Sequence, residues 1–209
     1  MSETTRRHMR FTLFSIRNLA AAMLCVAMLG VGLISRAFAD EWNKKTIVTF
    51  NAPVEIPGKV LLPGTYVFKL LDSASNRNIV QIFDKDEKKL YATILALPDY
   101  RLKPADKPII QFEERASNSP EAIKAWFYPG DDYGQEFVYP HDRAVALAKR
   151  TNQNVLSMRN EMTKNITTSA KSASDASVQE LRNTEVTGVN PSGDPVELEI
   201  VIAVKPEDK

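Results

Sequence analysis

Cysteine is almost absent from the 209-residue chain, which holds one, Cys25. That residue sits in a leading stretch expected to be removed, so no disulfide is available to the product and its fold must rest on burial. Histidine is nearly absent too, with only His8 and His141. Zinc draws three or four ligands mainly from Cys, His and carboxylates, so the sequence gives no metal or cofactor site. Neither Gly-x-Ser-x-Gly nor Ser-x-x-Lys occurs, which removes two serine-nucleophile signatures, and no catalytic residue is assigned. The longest uncharged apolar run, Leu19–Ile34, has sixteen residues, short of the roughly twenty that a spanning helix needs. No membrane span is therefore expected once the leader is gone.

That run belongs to a three-part export signal. Arg6, Arg7, Arg10 and Arg17 form a basic start, the apolar run follows, and Ala37-Phe38-Ala39 offers a cleavage site. Residues 1–39 are read as a signal peptide and the product as exported, periplasmic or secreted. Arg6-Arg7 also fits a twin-arginine signal, but Arg10 stands where that signal prefers an apolar residue. Beyond residue 39 the chain has 22 Lys and Arg against 25 Asp and Glu, a net charge of −3 rather than the +1 of the whole. A mildly acidic product without a basic block argues against a nucleic-acid partner.

What is present is alternation. "TIVTF" (46–50), "TYVFKLL" (65–71), "IVQIF" (79–83), "LYATILAL" (90–97), "IIQFEE" (109–114), "AWFY" (125–128) and "EFVY" (136–139) are rich in β-branched and aromatic residues at period two, the mark of strands. "SASNRN" and "DKDEKK" separate the middle ones as hairpin loops do. "PDYRLKPADKP" (98–108) carries three prolines, which exclude a central strand. The fold class expected is all-β, mainly antiparallel: a β-sandwich or small open barrel over residues 40–158, with one C-terminal helix and a disordered tail. Pro57-Gly58 and Pro63-Gly64 each suit a type II turn, and the rung between them reads as a corner between sheets. The helix is Tyr139–Thr151, with Asp142 near its start, Lys149 and Arg150 near its end, and Ala144, Leu147, Ala148 and Thr151 on one small face. Asn154–Met158 prolongs it or forms a short strand. Ser119-Pro120-Glu121 reads as the start of a helical turn.

Residues 159–195 are poor in large apolar groups and read as a disordered linker. Asn165-Ile166-Thr167 matches a glycosylation acceptor, a pattern that three residues often meet by chance. Residues 196–204, "VELEIVIAV", put Val196, Leu198, Ile200, Ile202 and Val204 on one face. That is a strand suited to β-strand exchange, either within its own domain or with a neighbour.

Three patterns invite a chemical reading. "DKDEKK" (84–89) begins like a calcium loop, but Leu95 stands where the twelfth-position glutamate belongs, so it is a hairpin tip. His141, without a motif around it, reads as a surface residue at the helix start. "WFYPGDDYGQEFVYP" (126–140) gathers Trp126, Tyr128, Asp131, Asp132, Tyr133 and Tyr139 as ligand-binding candidates. Aromatic faces stack on sugars and carboxylates accept hydroxyl protons; a weak calcium site is a variant of the same idea. The plain structural reading is a hairpin whose aromatics fill the core.

"LPGTYVFKL", "NIVQIF", "LYATILALPDYR", "FEER" and "PEAIKAWFYPGDDYGQEFVYP" resemble a family of exported, β-rich bacterial proteins. The resemblance spans about Trp42 to Met158. It implies an exported β-domain and carries no activity, substrate or site residue. The function expected is thus a non-enzymatic envelope protein of structural or binding role, with an envelope protein or a glycan as partner. The alternatives are a carbohydrate- or peptidoglycan-binding module using the Trp126–Tyr139 hairpin and, third, a hydrolase using carboxylates from separate strands.

Overall fold

Nine strands build one large mixed sheet: β1 (Lys45–Phe50), β2 (Val54–Ile56), β3 (Lys59–Leu61), β4 (Gly64–Leu70), β5 (Ile79–Asp84), β6 (Leu90–Tyr100), β7 (Ile109–Phe112), β8 (Glu121–Phe127) and β9 (Tyr133–Phe137). The structure is a computed structural model describing residues 44–71, 78–113 and 119–198. The expected signal peptide, and all of the expected tail strand beyond Leu198, lie outside the described residues. Among these, 44% are in strands and 19% in helices, and no closed barrel forms.

The spatial order is β1-β4-β5-β6-β9-β8-β2-β3, with β7 on β8. Every pairing in this sheet is antiparallel except β2 with β8. The long β6 serves two partners in turn. Its first half pairs with β5 and its second half, Ala96–Tyr100, pairs with β9. The two halves of the sheet meet through aromatic side chains: Phe68 of β4 stacks on Phe137 of β9 at 6.5 Å and lies 6.1 Å from Trp126 of β8. Phe50 of β1 meets Phe112 of β7 edge-on at 6.4 Å. Phe68, Trp126 and Phe137 are all fully buried, and each such side chain contributes about 2–3 kcal/mol relative to exposure. A chain with one cysteine can form no internal disulfide, so this core carries the domain.

Pro98 lies inside β6, opposite Gln135. There β6 has a strand on one side only. Val138 N–H donates to Leu95 C=O, and the antiparallel alternation then turns the nitrogen of residue 98 away from β9. A proline loses no ladder bond in that place, so the strand runs three residues further than its proline content implied.

The Pro-Gly pairs differ from each other. Gly58 has φ +80°, as a type II turn requires, but Pro57-Gly58 closes a tight β2–β3 hairpin with Ile56 opposite Lys59. The expected corner is absent. Strands of three residues are too short for a twist mismatch at the turn to accumulate, and β2 is held separately by β8. Gly64 opens β4, paired with Phe50, and makes no positive-φ turn. Ser119 and Pro120 lead straight into β8 instead of a helical turn.

The largest departure is C-terminal. β10 (Tyr139–Pro140) pairs in parallel with β11 (Val155–Met158), and α1 (His141–Thr151) connects them. Ala144, Leu147 and Ala148 of α1 are buried, and Asn152 ends it at φ 56°. A 3-10 turn (Asn160–Met162), α2 (Thr163–Thr167), α3 (Ala176–Arg182), β12 (Val186–Val189) and β13 (Pro195–Val196) follow, and β10-β11-β12-β13 make a second sheet. The disordered linker and the single helix are therefore both corrected: residues 159–195 carry two helices and a strand. Ile166, Val178 and Leu181 are fully buried, and Ala170 C=O accepts from the buried Gln81 side chain at 2.9 Å. A few apolar groups in the right helical positions suffice when an existing sheet receives them.

Candidate functional site

Two antiparallel strands, β8 and β9, and the turn between them set the site. Gly130 takes φ +83° at the tip, and its N–H donates to Ala105 C=O at 2.8 Å. Arg101 N–H donates to Asp132 C=O at 2.6 Å. The loop after β6 therefore lies against the hairpin tip. Gly134 faces Phe127, and a Cβ there would stand 2.5 Å from the ring. The buried ring fills the space that a side chain would take.

The structure divides the six sequence candidates. Trp126 is core: it is 1% exposed, and its Nε1–H donates to Thr46 Oγ1 at 3.1 Å. Tyr139 is fully buried, its hydroxyl donating to Ile123 C=O at 2.7 Å. Neither joins an open surface. The other four stay together at the tip. Lys44, at the entrance to β1, is buried and reaches three of them. Its ammonium donates to Asp131 Oδ2 and, at 2.7 Å, to Tyr133 Oη. It lies 4.4 Å from the Tyr133 ring centre and 5.5 Å from that of Tyr128. Asp132 is exposed beside them.

The structure adds three residues that the sequence did not single out: Tyr100, Leu102 and Lys44. Tyr100 stands directly opposite Tyr133 on β6. The two tyrosines are 64% and 39% exposed, and Leu102 just beyond is 91% exposed. Two adjacent aromatic residues and a leucine thus face solvent at one end of the sheet. Tyr100 follows Pro98 and Asp99 in a proline-rich segment where the sequence predicts a crossing, and only the β6–β9 register places it beside Tyr133. Lys44 carried no signal, since its partners lie 87 and 89 positions away.

Carboxylates also gather elsewhere. Glu136 on β9 is 7% exposed. Burial pushes its carboxyl up to about 7, with Lys124 opposing the rise and Glu113 adding to it. Glu113 is 3% exposed, so these two acids are enclosed in protein and do not face each other across open solvent. His141 is exposed, as expected, and its Nδ1 is 3.1 Å from Ser157 Oγ. Ser157 is 1% exposed, so this contact ties α1 to β11 and gives a substrate no route to the hydroxyl. A cavity of about 480 Å³ lies between the β2–β3 hairpin and the start of α1, over the bidentate ion pair of Glu55 and Arg143. Among the described residues no three His, Cys, Asp or Glu side chains converge to hold a metal ion. The Asp84 start of the suspected calcium loop instead accepts from Lys88 and Lys89 N–H, at 2.7 and 3.0 Å. No family model, curated protein or solved structure matches the chain.

Proposed function

We infer that the protein is a non-enzymatic, exported component of the bacterial envelope that binds a glycan on the Tyr100–Tyr133 face. We take its two facing halves of sheet as a β-sandwich that supports this face. The observation that carries the reading is the cross-strand tyrosine pair, exposed yet built on paired strands. A tyrosine ring offers an apolar face for a sugar and a hydroxyl for its polar rim. Strand pairing and Lys44 hold Tyr133 before a ligand arrives, so little side-chain entropy remains to be lost on binding. Asp132 supplies a carboxylate acceptor at the margin. The leader pattern supports export, and peptidoglycan is the envelope glycan that such a protein meets first.

The test is retention of the full chain on insoluble peptidoglycan and on chitin. Tyr100→Ala and Tyr133→Ala are expected to release it, and Ile47→Ala, at an exposed site on β1, is expected to leave retention unchanged. Equal retention of wild type and both tyrosine variants would overturn the glycan reading. A protein-binding or structural role is the second reading, favoured by the exposure of Leu102 and of Leu62, 91% and 71%. Strand exchange through Val196–Val204 belongs to it. Val196 pairs with Gly188, and a pull-down from envelope extracts tests for a protein partner.

A further inference from the structure

The geometry points to Tyr128, Asp131 and Tyr133 as an ammonium-binding cage, with Lys44 as its built-in occupant and the residue that positions Tyr133. The cage has the parts a cation needs once it leaves water. A carboxylate of Asp131 and the hydroxyl of Tyr133 accept its protons, and the Tyr128 ring presents its negative quadrupole at 5.5 Å. Lys44 is 6% exposed, so its ammonium has exchanged hydration for these three groups. An isolated lysine would not stay buried without them. The rest of the arrangement is directional. Lys44 C=O accepts from Leu70 N–H at 3.1 Å, which fixes its backbone to β4. The side chain then reaches from β1 to the hairpin tip, joining segments far apart in the chain. Tyr133, 39% exposed, is presented beside Tyr100.

The chemical class recognised is a primary or methylated alkylammonium. In the wild type, Lys44 occupies the site at an effective concentration on the order of millimolar or more. Removing the side chain therefore leaves a cavity that a free amine of the same shape can refill. This proposal rests on the proposed function only in its consequence for glycan retention, and its central test needs no glycan.

The experiment uses the full chain with 3-fluorotyrosine incorporated, the resonance of Tyr133 being identified by loss in Tyr133→Phe. Lys44→Ala is expected to shift that resonance toward the value of an unrestrained tyrosine and to weaken retention on peptidoglycan about tenfold, the order of one desolvated cation–π contact. n-Butylammonium, added at millimolar to tens of millimolar concentrations, is expected to restore both along a saturating curve. n-Butanol at the same concentrations is expected to restore neither, and Lys44→Arg to keep the wild-type resonance. An unmoved resonance in Lys44→Ala, or equal responses to the amine and the alcohol, overturns the proposal. If Lys44→Ala does not fold, Asp131→Asn takes its place: a shifted Tyr133 resonance in a folded chain supports the cage, and an unchanged one overturns it. Rescue by the amine with peptidoglycan retention indifferent to Tyr100→Ala leaves the cage standing and removes the glycan reading. Loss of retention in Tyr100→Ala without amine rescue does the reverse.

Discussion

Replacing Glu136 with glutamine should make the protein more stable at pH 8 and leave it little changed at pH 4. Glu136 is enclosed between β6 and β8, in register with Leu97 and Ala125, and its carboxyl is pushed from 4.5 up to about 7. Each pK unit between folded and unfolded states corresponds to 1.36 kcal/mol, so the rise from 4.5 to about 7 amounts to about 3 kcal/mol. The sign follows from proton binding. Between pH 4.5 and 7 the folded chain holds a proton at this site that the unfolded chain has released, so stability falls as pH rises. The contribution is fully present below 4.5 and lost above about 7, where folding must bury a carboxylate that only Lys124 offsets. Glutamine keeps the shape and never ionises. Urea unfolding at pH 4, 5, 6, 7 and 8 should show the wild-type free energy declining relative to Glu136→Gln by about 3 kcal/mol across that window, then running parallel to it. Parallel curves from pH 4 to 8 would show that Glu136 is solvated or compensated in the folded chain, and the burial argument would be wrong.

Three further outcomes are expected. Gly134→Ala places a methyl group 2.5 Å from the buried Phe127 ring and should lower stability by about 1–3 kcal/mol, read as a drop in Tm; an unchanged Tm would mean that the ring moves aside freely. Arg143→Met should destabilise more than Glu55→Gln, about 3 against about 2 kcal/mol by urea midpoint, because the charge whose ion pair it breaks is the more buried one: the Glu55 and Arg143 side chains are 8% and 34% exposed. Equal losses would place both ends of the pair in comparable solvent. Removal of residues 159–209 should cost about 5 kcal/mol or more and expose the remainder to protease, since Ile166, Val178 and Leu181 are each fully buried; a truncated chain melting with the wild type would return that segment to the status of a linker.

That last prediction marks where sequence reasoning failed and why. The average composition of residues 159–195 is polar. Order there depends on a few positions instead. Val178 and Leu181 are three apart on α3, Ile166 sits on α2, and Ile166 packs over Gly58, where a Cβ would meet it at 3.2 Å. The receiving surface belongs to strands a hundred residues earlier, so no local window contains both halves of the contact. The parallel pairing of β10 with β11 was hidden for a related reason, as two- and four-residue strands are too short to show a period. By contrast β4 is legible from its alternation, and β5 and the first half of β6 from the dense apolar runs of strands covered on both faces.

The candidate site divides along the same line. An aromatic hairpin could be read from "WFYPGDDYGQEFVYP", but which rings face water could not, since period two fixes only which residues share a face. Trp126 and Tyr133 are seven apart and fall on different strands of the hairpin, and the turn decides how the two strands register. Once Phe127 is set opposite Gly134, Trp126 faces Gln135 and joins the core, and Tyr133 is carried to the rim. The β6–β9 pairing then brings Tyr100 to its side. A one-residue slip of β9 would invert its faces, turning Tyr133 and Phe137 together away from the side that Phe68 and Trp126 fill. The exposed tyrosine pair is therefore a property of two strand registers. Gly134 helps to hold the first of them, since a side chain there has no room beside the Phe127 ring.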